Sequence, residues 1–239
     1  DLLSSNMVLK KNNEVKTLFN KISHKYDFLN TLFSLGLHKL WKQKLLDLLK
    51  PKNGEVWADL CCGTGDLTFL IYKKVIPNGS VTGIDSAEEI LNIAKKKSKL
   101  IKNQCIKWEL QDVLDIDENL KNFDGICMSY GLRNLTNVEV GIKKVFNLLN
   151  DEGRAGFLDF NHSRSNSPSS LFQQIYLRFI VVPISKIFRL SKEYIYIEKS
   201  IKNYPEGNKL IEIAKKVGFK KIEYRTIFCN QMGILILEK

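Results

Sequence analysis

A mostly parallel α/β sheet covered by helices on both faces is the fold this sequence predicts, and three observations carry it. The stretch from Glu55 to Thr68 reads as a short buried strand, a turn containing Gly63 and Gly65, and a helix opening at Asp66. Downstream of it, strand-like and helix-like segments alternate at the spacing of parallel crossover units. The chain then closes on two successive strand-like runs, Lys220–Phe228 and Met232–Glu238, which read as an antiparallel hairpin.

Taken in order, residues 1–12 are polar and uncapped. From Asn13, apolar residues recur every three or four positions (Val15, Leu18, Phe19, Ile22, Tyr26, Leu29, Leu32, Phe33), the mark of one helix or a broken pair with one apolar face. A further helix starts at His38-Lys39-Leu40-Trp41, runs to Leu49 and is stopped by Pro51. A bare nucleotide-binding sheet does not require these helices, so they read as a cap on the substrate side. Beyond the glycine turn come a strand at Ser80–Asp85, a helix at Glu88–Leu100, strands at Cys105–Leu110 and Phe123–Ser129, a helix at Val138–Leu149, and a strand at Gly153–Phe160. Residues 161–170 form a polar loop. Leu171 to Phe188 is apolar but broken by Arg178, Pro183 and Lys186, which suits a helical lid with basic flanks or a plain core helix. Helices are expected at Tyr194–Tyr204 and at Lys209–Val217, the latter stopped by Gly218. The implied organisation is a single domain with four parts: a cap (1–50), a cofactor-binding core (51–160), a lid (161–205), and a terminal helix with hairpin (206–239).

Composition narrows the class. The 239 residues are 44% hydrophobic and 10% aromatic, enough for a real core. No run approaches the ~20 apolar residues needed to span a bilayer. The sequence starts at Asp1 rather than Met, which leaves a removed leader or transit segment open. The five cysteines form no C-x-x-C pair, and with three scattered histidines they offer no metal constellation. They read as reduced, small apolar residues in a reducing compartment. The net charge of +11 comes from lysines spread along the whole chain, without the Lys/Arg stripe interleaved with aromatics that a nucleic-acid face needs.

The glycine turn carries the chemistry. Asp59 and Asp66 flank it, and carboxylates there would repel a pyrophosphate. The dinucleotide fingerprint also wants a third glycine where Thr68 stands. A cationic ligand with a ribose fits better, and S-adenosyl-L-methionine is such a ligand. Asp85 ends the second strand roughly 20 residues on, where parallel α/β units deliver an acid to ribose hydroxyls. Asp112 follows the next strand. Seven strands ending in a hairpin then make the class I methyltransferase plan, a Rossmann-like sheet with an N-terminal helical cap.

Four segments resemble one family along essentially the whole chain: the quinone-biosynthesis C-methyltransferases known as UbiE and MenG. Lys25-Tyr26-Asp27-Phe28-Leu29-Asn30 with Ser34-Leu35-Gly36-Leu37-His38-Lys39-Leu40-Trp41 is similar to that family's Y-D-x-x-N…S-x-G-x-x-x-x-W signature. Asp59–Leu67 resembles its cofactor loop, Tyr130-Gly131-Leu132-Arg133-Asn134 its G-L-R-N motif, and Tyr194-Ile195-Tyr196 with Ser200-Ile201 a fourth segment. Cys61-Cys62, Leu158-Asp159-Phe160-Asn161 and Leu190–Tyr194 lean toward the plant and cyanobacterial branch, which methylates demethylphylloquinone or demethylmenaquinone.

The resemblance implies transfer of a methyl from S-adenosyl-L-methionine to a carbon of a reduced, prenylated quinol. It implies that Asp59, Gly63, Thr64, Gly65, Asp85, Asp112, Val113 and Ser129 serve the cofactor, with Asp85 on the ribose and Asp112 with Val113 at the adenine. Arg133 and Asn134 would stand over the reacting ring, and Tyr26 would join them from the cap. Arg133 could instead pair with Asp27 or another acid to dock the cap. His24 and His162 read as surface residues, and His38 as orienting the cap against Trp41. Arg178, Lys186 and Arg189 on the lid would meet an anionic membrane surface where the prenyl tail leaves. A homodimer and a plastid-stromal or bacterial cytoplasmic setting accompany this reading, with a mitochondrial matrix if the substrate is a ubiquinone precursor. The rivals are a benzoquinol, sterol, small-phenol or RNA methyltransferase, and a non-catalytic scaffold.

Overall fold

The computed structural model describes residues 15–17, 20–21, 23–100, 106–117, 122–161, 171, 175, 178–179, 182–183 and 191–239. After a 3-10 turn at Ser23–Lys25, the elements are α1 (Tyr26–Phe33), α2 (His38–Leu49), β1 (Val56–Leu60), α3 (Asp66–Val75), β2 (Ser80–Asp85), α4 (Glu88–Leu100), β3 (Ile106–Leu110), β4 (Phe123–Ser129), α5 (Val138–Leu148), β5 (Leu149–Phe160), α6 (Ser191–Lys202), α7 (Gly207–Val217), β6 (Lys221–Ile227) and β7 (Met232–Glu238). The strands form one seven-stranded sheet in the order β3-β2-β1-β4-β5-β7-β6. Pairing is parallel from β3 through β5, and β7 lies antiparallel to both β5 and β6.

Strand alternation sends successive side chains to opposite faces, and each face has its own apolar layer. On one face Ala58, Leu60, Ile126 and Phe157 pack with Ile142 and Val145 of α5 and Leu210 and Ala214 of α7. On the other, Trp57, Val81, Cys127 and Ile234 meet Leu45, Leu46 and Leu49 of α2 and Leu67 and Ile71 of α3. This places α2, the second helix of the expected cap, against the sheet itself, with its buried stripe recurring at helical spacing.

Several boundaries differ from the sequence reading. β5 begins at Leu149 rather than Gly153, because Leu149 pairs with Phe123 ahead of a register shift. The run Asn150-Asp151-Glu152-Gly153 carries turn residues, which hid that pairing. α6 starts at Ser191, three residues before the expected Tyr194. The apolar periodicity that began at Asn13 is broken by the turn at Ser23–Lys25. Cys105 and most of the expected lid, including Lys186 and Arg189, lie outside the described residues. Among the described residues no helix is long and apolar enough to cross a membrane, and no group of His, Cys, Asp and Glu could hold a metal.

Candidate active site

The strand order reverses between β1 and β4, and ligands of open parallel sheets bind outside the carboxyl ends of the strands at such a reversal. Each strand is followed there by a non-glycine residue of left-handed backbone, Cys61 at φ +54 and Tyr130 at φ +60. Such conformations cost of order 1–3 kcal/mol each and gather at functional sites. The two turns interlock: a Cβ on Gly131 would stand 2.7 Å from the Cys61 Cβ.

A cavity opens at this point. Gly63, Asp85, Asp112, Val113, Ser129 and Asn134 are all on its wall. Cys61, Ile90 and Leu135 supply apolar surface, and Val15 reaches it from the N-terminal segment. Asp85 organises one end: Oδ2 accepts from the Gly63 N–H at 2.9 Å and Oδ1 from the Ala87 N–H at 2.9 Å. Burial raises its pKa against those two bonds. Asp112 accepts from the Leu114 N–H at 2.9 Å, which fixes the short turn Val113–Asp115.

Four expected site residues stand off this wall. Asp59 points to the α2/α3 face, fully buried, its Oδ2 accepting from Thr68 Oγ1 at 2.6 Å while Oδ1 has no hydrogen-bond partner among the described residues. Burial pushes its pKa up to about 7. Thr64 donates its hydroxyl to Asp27 Oδ1. Gly65 caps α3 at φ +87, and its bare Cα is filled by protein: an added Cβ would lie 2.6 Å from the Trp108 ring. Arg133 turns inward, its Nη1 donating to Asp159 Oδ1 at 2.7 Å and to the Tyr130 carbonyl at 2.8 Å. The acid it meets is thus Asp159 of β5, not Asp27. Tyr26 opens α1; its side chain lies outside the described residues.

The structure adds residues that sequence reasoning missed. Tyr196 of α6 donates to Asn134 Oδ1 at 2.8 Å, and Asn134 Nδ2 donates to the Tyr130 carbonyl at 3.0 Å. Tyr196 sat inside a recognised motif, but its partner is 62 positions upstream. Asp27 also binds Lys97 at 2.6 Å, while Asp66 binds Lys42 at 3.3 Å and Lys97 at 3.5 Å. Burial alone would raise the Asp66 carboxyl, yet the two lysines hold it below the usual range. Asp66 therefore docks α2 and α4 beside the loop. The sequence argument from a flanking acid pair transfers to Asp85 and Asp112, which do face the cavity. His38 is buried and near Thr31 Oγ1 (3.2 Å), Trp41 packs on Phe228, and His24 is exposed.

A sequence profile of the ubiE/COQ5 methyltransferase family matches residues 7–236. The chain belongs to that family. Among curated relatives, the 2-phytyl-1,4-naphthoquinone methyltransferase of Nostoc punctiforme is 37% identical over 228 residues, 95% of this chain and 99% of its own. The chloroplastic 2-phytyl-1,4-beta-naphthoquinone methyltransferase of Arabidopsis thaliana is 36% identical over 232 residues, 96% of this chain and 88% of its own. A solved S-adenosylmethionine-dependent methyltransferase of Aquifex aeolicus superposes with a TM-score of 0.63 at 14% identity, covering 89% of this chain and 97% of that one, which establishes the class I fold.

This ubiE/COQ5 protein is accordingly an S-adenosyl-L-methionine-dependent methyltransferase. Its cavity fits that cofactor by donor chemistry. Two carboxylates at successive strand ends can accept from hydroxyl and amine groups. The apolar surface of Ile90, Val113 and Leu135 suits a flat ring, and Gly63 brings bare backbone to the wall.

Proposed function

We propose that this enzyme methylates a ring carbon of a reduced, prenylated naphthoquinone precursor, demethylphylloquinol or demethylmenaquinol. The observation that carries this reading is the near-full-length identity to proteins named for a 2-phytyl-naphthoquinone. The bound cofactor supplies an electrophilic methyl group on a cationic sulfur.

The chain's own residues bind, orient and shield. Asp85 takes the ribose hydroxyls, and its hold on the Gly63 N–H keeps the loop in place. Asp112 and Val113 frame the adenine, with Ser129 beside them. Asp59, Thr64 and Gly65 act one step back, by packing the loop and tying it to the cap. Asn134, with one amide N–H left over, donates to a ring oxygen and favours its ionised form, which pushes electron density onto the neighbouring carbon. The new carbon–carbon bond would replace the sulfur–methyl bond and leave a neutral thioether, after which that carbon would lose its hydrogen as a proton and the ring regain aromaticity. Arg133 acts through Asp159, which holds the turn carrying Asn134 in register. Tyr26 enters from the cap. Closure of the cap and α6 over the ring excludes water.

The prenyl tail leaves along Leu171, Ile175 and Phe179, which are exposed apolar residues beside the exposed Arg178, and meets an anionic bilayer surface. A plastid setting is supported by the chloroplastic Arabidopsis relative. The test is incubation with labelled S-adenosyl-L-methionine and a panel of reduced demethylated naphtho- and benzoquinones. Preferential labelling of the naphthoquinols is expected; labelling of benzoquinols alone would move the enzyme to the ubiquinone branch.

A further inference from the structure

Asn134 is held from two sides, and the two bonds settle which way its amide faces. The Tyr130 carbonyl can only accept, so it must meet the amide nitrogen, here at 3.0 Å. The amide oxygen then faces Tyr196, whose hydroxyl donates at 2.8 Å. One N–H and one oxygen lone pair remain for the cavity that Asn134 lines. The same Tyr130 carbonyl also receives Arg133 Nη1 at 2.8 Å, so one bond alone would leave Asn134 sharing its only anchor. Tyr196 comes from α6, an element otherwise remote in sequence, and it is not on the cavity wall. Burial pushes its pKa up to about 12, so the hydroxyl keeps its proton throughout the neutral range.

We propose that Tyr196 is a positioning residue for methyl transfer: its hydroxyl locks the Asn134 amide so that the remaining N–H points at the ring-oxygen position. This rests on the reading of Asn134 as the group that touches the substrate. α6 thereby reports its own docking to the site, because Asn134 is fully oriented only when that helix is in place. A purely structural Tyr196 would support α6 without caring which way the amide turns.

The experiment uses the full chain, with reduced 2-phytyl-1,4-naphthoquinone as substrate and calorimetric titration of S-adenosyl-L-methionine as a second readout. Tyr196→Phe, which keeps the ring, is expected to lower kcat about tenfold or more, with KM and cofactor affinity within about threefold. The Tyr196→Phe/Asn134→Ala double variant should be no slower than Asn134→Ala alone, since the hydroxyl acts only through that amide. Unchanged kcat in Tyr196→Phe, or losses that multiply in the double variant, would overturn the proposal. Should the wild-type chain methylate no quinol, the functional reading fails. The lock is then read from melting of the cofactor-free protein. Non-additive shifts of the two single variants support it, and additive shifts overturn it.

Discussion

Arg133 and Asp159 form an ion pair whose side chains are only 7% and 2% exposed, so each is costly without the other. Arg133→Ala would leave the Asp159 carboxylate buried with the backbone N–H groups of Arg133 and Phe160 as its donors among the described residues. The expected loss is roughly 3 kcal/mol of stability, read as a lower urea midpoint, together with lost turnover. A wild-type midpoint would show that the pair does not hold the turn. Two other buried groups set opposing pH dependences. His38 is held down to about 4 by burial, with Lys42 adding to it, so between pH 4 and 6.5 the unfolded chain binds the extra proton and stability rises with pH. Asp59 is raised to about 7, so between about pH 4 and 7 the folded chain binds the extra proton and stability falls as pH rises. Melting of cofactor-free His38→Gln from pH 5 to 6.5 should therefore show stability declining with pH, and Asp59→Asn should show it climbing. Identical slopes in both variants would remove the assignment. Which residues belong at the cavity was legible where side chains follow strand ends, as at Asp85, Asp112 and Ser129. Asp59 stands off that wall because period-2 alternation turns it to the helix face one residue before the loop begins. The acid that Arg133 meets lies on another strand, a contact that spacing does not reveal.

At the scale of elements, the glycine loop is locked to the cap by a clasp. Asp27 of α1 receives the Thr64 hydroxyl and Lys97 of α4, and Lys42 of α2 reaches Asp66 at the start of α3. The Asp27–Lys97 pair is partly exposed, so it is worth less than about 1 kcal/mol to global stability, yet with the buried Lys42 on Asp66 it decides where α1 sits. Asp27→Ala should leave the melting temperature within about 3 °C of wild type, while limited trypsin digestion within residues 21–39 accelerates. Unchanged digestion would mean that α1 is held by something else. The cap was legible as an amphipathic pattern, and most strands as apolar runs bounded by turn residues. The clasp was not, because it joins residues 37 and 70 positions apart. The start of β5 was hidden by local turn chemistry that pairing with β4 overrode.

Across the whole molecule, a sheet with an apolar layer on each face carries a cavity at its reversal point, and α6 reaches Asn134 there from late in the chain. The alternation of strands and helices, the terminal hairpin and the acids at strand ends made that plan readable in advance. Exposed Leu171, Ile175 and Phe179 beside Arg178 predict that Leu171→Ser/Phe179→Ser/Arg178→Gln loses sedimentation with anionic vesicles, at roughly 1 kcal/mol for the charge, while methylating a short-tailed quinol normally. Retained vesicle binding would place the tail's exit elsewhere. The account turns on where the methyl group lands. With the cofactor's methyl carbon-13 labelled and reduced 2-phytyl-1,4-naphthoquinone as acceptor, NMR of the product should place the label on a ring carbon. Label on oxygen, or none transferred from an enzyme that binds the cofactor, would contradict it.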